Sequence, residues 1–233
     1  IHSPMRYAWD QMYVYLNNSS YKNLGINIFL KLILQNLREW DYISSIRIDE
    51  LIANSNFTAQ RIKKYWGRSA KVIYPPVDTN KFTANNFRDD FYLSVSRLVP
   101  NKRIDLLVKA FNQLNFPLII VGSGSEKKQL MKIAKDNISF LGYQDEIIIK
   151  QLMEKCRAFV YSGIEDFGMA PVEAMAAGAP VIAFKKAGVL DTVKCITSDT
   201  KNPTGVLYNE QSYKALQDCI NYFEEKQIWK KFC

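Results

Sequence analysis

The chain reads as an α/β protein whose sheets are parallel and covered by helices, and two observations predict this. From residue 91 onward, short β-rich runs alternate with helical patterns, the signature of strands joined by crossover helices. Before residue 75 a strand–helix–strand passage follows two long helical stretches, so the same organisation is present there in part. The two regions are joined by Tyr74-Pro75-Pro76-Val77-Asp78 and a polar stretch, Thr79–Asp90.

In the second region the runs Phe91–Ser96, Pro117–Val121, Ile138–Leu141, Ala158–Ser162, Pro180–Phe184 and Gly205–Tyr208 read as strands. Between them Asn101–Leu114, Glu126–Ala134 and Asp145–Cys156 read as amphipathic helices, and a further helix closes the chain. Six strands make a complete Rossmann-like domain. The first region reads as helices over Met5–Asn17 and Gly25–Arg47, a strand Glu50–Ala53, a basic helix Thr58–Trp66 and a strand Lys71–Tyr74. That is the back half of a second such domain, with its opening strands missing. The division expected is therefore residues 1–78 for the incomplete domain, 79–90 for a linker and 91–233 for the complete one. The apolar helix Gly25–Leu37 is expected to lie in the core, the alternative being a membrane surface.

The totals exclude several classes. With 233 residues, 48% hydrophobic and 23% charged, the composition is that of a globular protein. No window approaches a membrane span, and the start IHSPMRYAWD has neither the basic nor the apolar region of a signal peptide. Four cysteines, Cys156, Cys195, Cys219 and Cys233, lack metal spacing and fit a reducing cytoplasm. The net charge of +8 implies an anionic partner. Nucleic acid, acidic lipid and a nucleotide diphosphate all qualify, but no basic tail or nucleic-acid motif supports the first.

The most informative stretch is Glu165-Asp166-Phe167-Gly168-Met169-Ala170-Pro171-Val172-Glu173. It joins the strand Ala158–Ser162 to a helix expected to start with Pro171 and end near Gly178. Two carboxylates thus flank a turn at the carboxyl end of a strand, where open α/β sheets bind ligands. The helix N-terminus offers unsatisfied N–H groups to an anion. Glu173 alone is equally read as an acid complementing the dipole of a first helical turn. That reading leaves Glu165, in the loop, unexplained.

Three other features point to the same sheet edge. Arg97, Lys102 and Arg103 cluster between the first strand and its helix, either as a solvated loop or as a diphosphate clamp, with Arg97 binding as a fork and Lys102 as a point charge. Gly122-Ser123-Gly124 follows a strand, for a tight turn or for close backbone approach to a ligand. Gly142-Tyr143-Gln144 ends another strand, and a base could lie on it, held by backbone groups and Gln144.

These segments carry a resemblance. IANSNFTAQRIKKYWG, VIYPPVD, SVSRLVPNKRIDLLVKAF, LIIVGSGSE, FLGYQDE and EDFGMAPVEAMAAGAPVIA resemble, in order, retaining glycosyltransferases of family 4, which have the two-domain GT-B fold. HSPMRYAWD and WDYISSIRIDELIANS further resemble mannosyltransferases of O-antigen and related polysaccharide synthesis. The resemblance implies that Glu173 holds the ribose, that Glu165 and the backbone of Phe167, Gly168, Met169 and Ala170 hold the transferred sugar, and that Arg97 and Lys102 neutralise the departing diphosphate. It implies for His2, the only histidine, a place facing the donor sugar. Tyr143, Gln144 and Gly122 complete the expected donor site.

The expected reaction is transfer of a hexose, mannose from GDP-mannose, onto a lipid-linked glycan in lipopolysaccharide or other cell-surface polysaccharide synthesis. The nucleotide sugar would be substrate, with no cofactor. No Asp-x-Asp pair occurs, and fixed cations already supply charge, so no metal is expected. The expected location is cytoplasmic, peripheral at the inner membrane face, which suits the positive charge and the helix Arg61–Trp66. The resembled enzymes carry a glycine-rich loop ahead of the point where this chain begins, so the expectation is nucleotide binding without efficient transfer. The alternative is a truncated, non-catalytic module that binds a nucleotide sugar or a polyanion.

Overall fold

The computed structural model describes residues 3–12, 24–84, 87–196 and 200–232. They form two compact units, residues 1–75 and 76–233.

In the first unit, residues 6–10 form turns. The helix expected from Met5 does not form there: the N–H groups of Ala8 and Trp9 both bond to the Met5 carbonyl, and that of Gln11 reaches back to Arg6. The Ala8 carbonyl, which a helix would use, accepts instead from Arg38 Nε at 2.5 Å. The rest of that expected helix lies outside the described residues. Helix α1 (Leu24–Ile46) follows, then strand β1 (Ile52–Ala53), helix α2 (Asn56–Trp66) and strand β2 (Lys71–Val72), parallel to β1. Ser55 caps α2, its hydroxyl accepting from the Thr58 N–H at 3.0 Å, and Gly67 ends it. Leu51, Ala53, Ile62 and Trp66 form the small core.

Asp41 of α1 ties this unit together: its Oδ2 accepts the indole N–H groups of Trp9 and Trp66, each at 2.8 Å. A buried carboxylate needs such donors to offset its lost hydration. Arg61 is 5% exposed, bonded to the Pro4 carbonyl at 3.0 Å and to Asp10 at 2.8 Å. Of the basic residues of α2, Arg61 is thus used inside the unit, while Lys63 and Lys64 are exposed. Burial of α1 is corrected as well. Its inward stripe is short, and Ile28, Phe29, Leu32, Trp40, Ile43 and Ile46 are exposed, Phe29 to 63%. Among the described side chains the helix is apolar on two faces, and one of these is exposed.

The second unit carries strands β3 (Tyr92–Val95), β4 (Leu118–Val121), β5 (Ile138–Gly142), β6 (Ala158–Tyr161), β7 (Val181–Phe184) and β8 (Gly205–Tyr208). Helices α3 (Ile104–Leu114), α4 (Lys127–Ile133), α5 (Glu146–Lys155), α6 (Met169–Ala176) and α7 (Val189–Thr192) connect them, and α8 (Tyr213–Glu225) follows the last. All strands are parallel, in the order β5-β4-β3-β6-β7-β8.

Side chains alternate across this sheet. Tyr92, Ile120, Val160, Ile182 and Val206 face Leu107, Phe111, Leu216 and Phe223 of α3 and α8. Leu93, Val121, Phe159, Tyr161, Val181 and Ala183 face Met153, Ala174 and Val189 of α5, α6 and α7. Runs such as Ala-Phe-Val-Tyr are apolar at every position because both faces are covered. Each fully buried Phe of this kind contributes about 1.5–3 kcal/mol of transfer free energy.

The stretch 79–90, expected as a linker, belongs to the second unit. Arg88 is 8% exposed and donates to the carbonyls of Met153, Glu154 and Ala177 at 3.1, 3.0 and 2.9 Å. These are the orphan carbonyls at the ends of α5 and α6, which need a donor. The Thr83 N–H donates to the Glu154 carboxylate at 2.6 Å.

Candidate active site

The sheet order reverses between β3 and β6, and at such a switch point the outgoing loops part to leave a crevice at the carboxyl edge. The loop after β3 carries Arg97, a single 3-10 turn Pro100–Lys102, and Arg103 in the left-handed region at φ 53°. The loop after β6 carries Glu165–Gly168. Lys102 and Glu165 thus come from adjacent strands, and their side chains form an ion pair, 14% and 29% exposed. The Lys102 ammonium also lies 6.0 Å from the centre of the Tyr161 ring.

Arg103 does not join a clamp. Its guanidinium forks onto Asp105, Nε to Oδ1 at 2.9 Å and Nη2 to Oδ2 at 3.2 Å. Arg97 lines a cavity of about 330 Å³ together with Gly122, Tyr143 and Gln144. Gly122, at φ 131°, is needed for local closeness: a Cβ there would run into the Ser96 carbonyl, so its absence lets the loops after β3 and β4 close on each other. The Leu98 N–H bonds to the Ser123 carbonyl at 2.9 Å and locks that approach. Tyr143 presents its ring at 83% exposure, while the Gln144 amide donates back to the Leu141 carbonyl of β5 at 2.8 Å.

Helix α6 begins at Met169, two residues before the expected Pro171, with Gly168 at φ 88° as its cap. Proline is tolerated in a first turn because its missing N–H would have no helical partner there. The N–H groups of Met169 and Ala170 then open the helix at the positive end of its dipole. Phe167 is buried and anchors the loop, and Met169 is 38% exposed. With this start Glu173 lies beyond the first turn, which removes the dipole-complementing reading.

Glu173 and Met169 line a second cavity, of about 650 Å³, with Lys81, Glu146, Ile149 and Lys150. Burial, followed by the like charge of Glu146, raises the Glu173 carboxyl above the ordinary glutamate value, and Lys81 opposes the shift. The two cavities share Ile149. The single pocket expected around Arg97, Lys102, Glu165 and Glu173 is therefore two adjoining cavities, with the Lys102–Glu165 pair at the switch point. His2 lies outside the described residues.

Sequence reasoning missed Ala187 and Gly188, which follow β7 and pack on the loop carrying Glu165. The glycine after the apolar run VIAF was the available signal. Among the described residues no three His, Cys, Asp or Glu side chains gather so as to hold a metal ion.

A family model described as glycosyl transferases group 1 matches residues 78–231. The chain belongs to that family. It is 30% identical over 220 residues to an uncharacterized glycosyltransferase, MJ1178, of Methanocaldococcus jannaschii, covering 86% of this chain and 62% of that protein. It is 29% identical over 225 residues to the alpha-1,3/1,6-mannosyltransferase ALG2 of Dictyostelium discoideum, covering 74% of this chain and 54% of the relative. The chain thus spans less than two thirds of the length of these relatives. Among solved structures, Anabaena Alr3699/HepE in complex with UDP and glucose superposes with a TM-score of 0.71 at 25% identity, over 84% of this chain and 59% of that one. The fold of this chain is accordingly the parallel α/β fold of GT-B glycosyltransferase structures, of which it spans a part.

Proposed function

We propose that the protein is a retaining glycosyltransferase that works without a metal, moving mannose from GDP-mannose onto a lipid-linked glycan in lipopolysaccharide or related surface-polysaccharide synthesis, at the cytoplasmic membrane face. The observation that carries the reading is the meeting of Lys102 and Glu165 across the switch point, beside the N-terminus of α6. Breaking a glycosyl–phosphate bond builds negative charge on the diphosphate and positive charge on the anomeric carbon. Lys102, Arg97 and the helix N-terminus suit the first, and the Glu165 carboxylate suits the sugar. Preorganised stabilisation of this kind is worth about 3 kcal/mol per donor group. Glu173 is assigned the ribose hydroxyls, and the exposed ring of Tyr143 the base.

Mannose and GDP come from the relatives: ALG2 is a mannosyltransferase, and a Corynebacterium glutamicum relative, 32% identical over 178 residues, is a GDP-mannose-dependent phosphatidylinositol monomannoside mannosyltransferase. A membrane-side acceptor agrees with the uncovered apolar face of α1 and the net charge of +8. Among the described residues no helix is long and apolar enough to cross a membrane, so contact through them would be peripheral.

Calorimetric titration of GDP-mannose, UDP-glucose and a short duplex DNA at two salt concentrations tests the reading. Saturable binding of a nucleotide sugar is expected. Binding of DNA with none of either nucleotide sugar would overturn it, and DNA binding must be recognised by its steep loss with salt.

A further inference from the structure

The segment between β7 and α7 presses on the catalytic loop in a way that its own turn does not require. The Lys185 N–H still pairs with the Tyr208 carbonyl, continuing the sheet, and then the chain bends sharply. Ala187, 3% exposed, adopts φ 65°, a left-handed conformation that side chains with a Cβ seldom take. This bend turns the Gly188 N–H onto the Glu165 carbonyl, at 3.0 Å. It also sets Gly188 so close that a Cβ would meet the Phe167 Cα and carbonyl oxygen and the Asp166 carbonyl oxygen. Gly188 itself is at φ −59°, so glycine is present for closeness and not for a positive φ. From the other side, Gly163 rests against the Lys102 backbone, a Cβ there falling 3.4 Å from the Lys102 Cα.

Buried, strained backbone persists only where the surroundings hold it in place. Here the neighbours on either side of the bend are the buried Phe167 and Val189, and what the strained bend fixes is the backbone of Glu165. We propose that the Ala187-Gly188 elbow is a positioning device that sets Glu165 for the transferred sugar. It rests on the glycosyltransferase reading above. Neither residue touches the substrate; they act through the loop.

Wild-type protein is first titrated with GDP, GDP-mannose, UDP and UDP-glucose. Failure to bind any of them would defeat the functional reading itself, before any variant is made. For the pair that binds, Gly188→Ala should lower the affinity for the nucleotide sugar at least tenfold relative to that for its nucleoside diphosphate, in protein that stays folded although the clash with the Phe167 and Asp166 backbone lowers its melting temperature. Ala187→Gly, which keeps the bend and removes its strain, should bind like wild type. Ala187→Val, which cannot hold the bend, should behave like Gly188→Ala. Equal losses for the sugar and the diphosphate, or none, in folded Gly188→Ala would overturn the proposal. If that variant does not fold, amide exchange in wild type decides. The Gly188 N–H should exchange at least tenfold more slowly with the nucleotide sugar than with the nucleoside diphosphate. Equal protection by both would reject the elbow.

Discussion

Lys102 and Glu165 neutralise one another across the reversal of the sheet, one leaving β3 and the other leaving β6. A donor whose diphosphate meets Lys102 and whose sugar meets Glu165 must take both partners at once. The pair therefore presets the positions of two charges while withholding each from solvent.

Lys102→Ala should weaken binding of the nucleoside diphosphate and the nucleotide sugar by about tenfold or more, the scale of a lost charged hydrogen bond. Binding of the nucleoside should be unchanged. Calorimetry with the three ligands checks this, and a parallel loss for the nucleoside would show that Lys102 supports the fold and not the diphosphate.

Glu173→Ala should weaken the nucleotide sugar and the free nucleoside diphosphate alike, by about 10- to 100-fold, because the ribose is common to both. Loss confined to the nucleotide sugar would move Glu173 from the ribose to the transferred hexose.

The raised Glu173 carboxyl gives binding and stability opposite pH dependences. Its folded-state value lies above its unfolded one, so acidification through that window protonates the folded protein first and adds stability from this group. The same protonation turns one of the two carboxyl oxygens into a donor, so the paired acceptance proposed for the two ribose hydroxyls is lost. Affinity for a nucleotide sugar, whose diphosphate does not titrate in this range, should drop as the pH is lowered, beginning above the ordinary glutamate range. Glu173→Gln should flatten that profile, as measured by titrations across pH.

Arg157 bonds to Glu224 at 2.7 Å and pairs also with Asp90, while its guanidinium stacks 4.9 Å from the Trp229 ring centre. Glu224 further accepts from the Tyr92 hydroxyl, whose proton is held more tightly by burial and by that carboxylate. Arg157→Ala leaves a largely buried carboxylate uncompensated and should cost about 3–5 kcal/mol in urea unfolding. Nucleotide affinity of the folded fraction should be unchanged, since this cluster lies at the opposite, amino-terminal ends of β3 and β6.

How much of this was readable beforehand differs from residue to residue. The six strands were legible because a strand covered on both faces is a short unbroken apolar run, as in Val181–Phe184. Arg97 and Glu165 were legible as groups at strand ends, since every carboxyl end of a parallel sheet lies on one edge. That Lys102 would pair with Glu165 was not, because it depends on β3 and β6 being neighbours. Arg103 looked like a third clamp cation until its fork closed on Asp105. The elbow at Ala187 escaped because α7 spans only Val189–Thr192, too short to show a period. Helix α1 misled for the opposite reason: amphipathic helices usually turn their apolar side to a core, yet Ile28, Phe29 and Leu32 are exposed. The linker was misplaced because a polar stretch gives no hint that Arg88 will satisfy the carbonyls of two helix ends.

The strand order also sets when the site can exist during folding. β3, β4 and β5 are contiguous in sequence and in the sheet, but β6 must cross back over them to lie beside β3. Lys102 has no Glu165 to meet until that long return is complete, and distant pairings of this kind form slowly. Refolding protein should therefore regain helical circular dichroism before it regains the ability to capture a nucleotide, and the lag between the two signals would time the docking of β6.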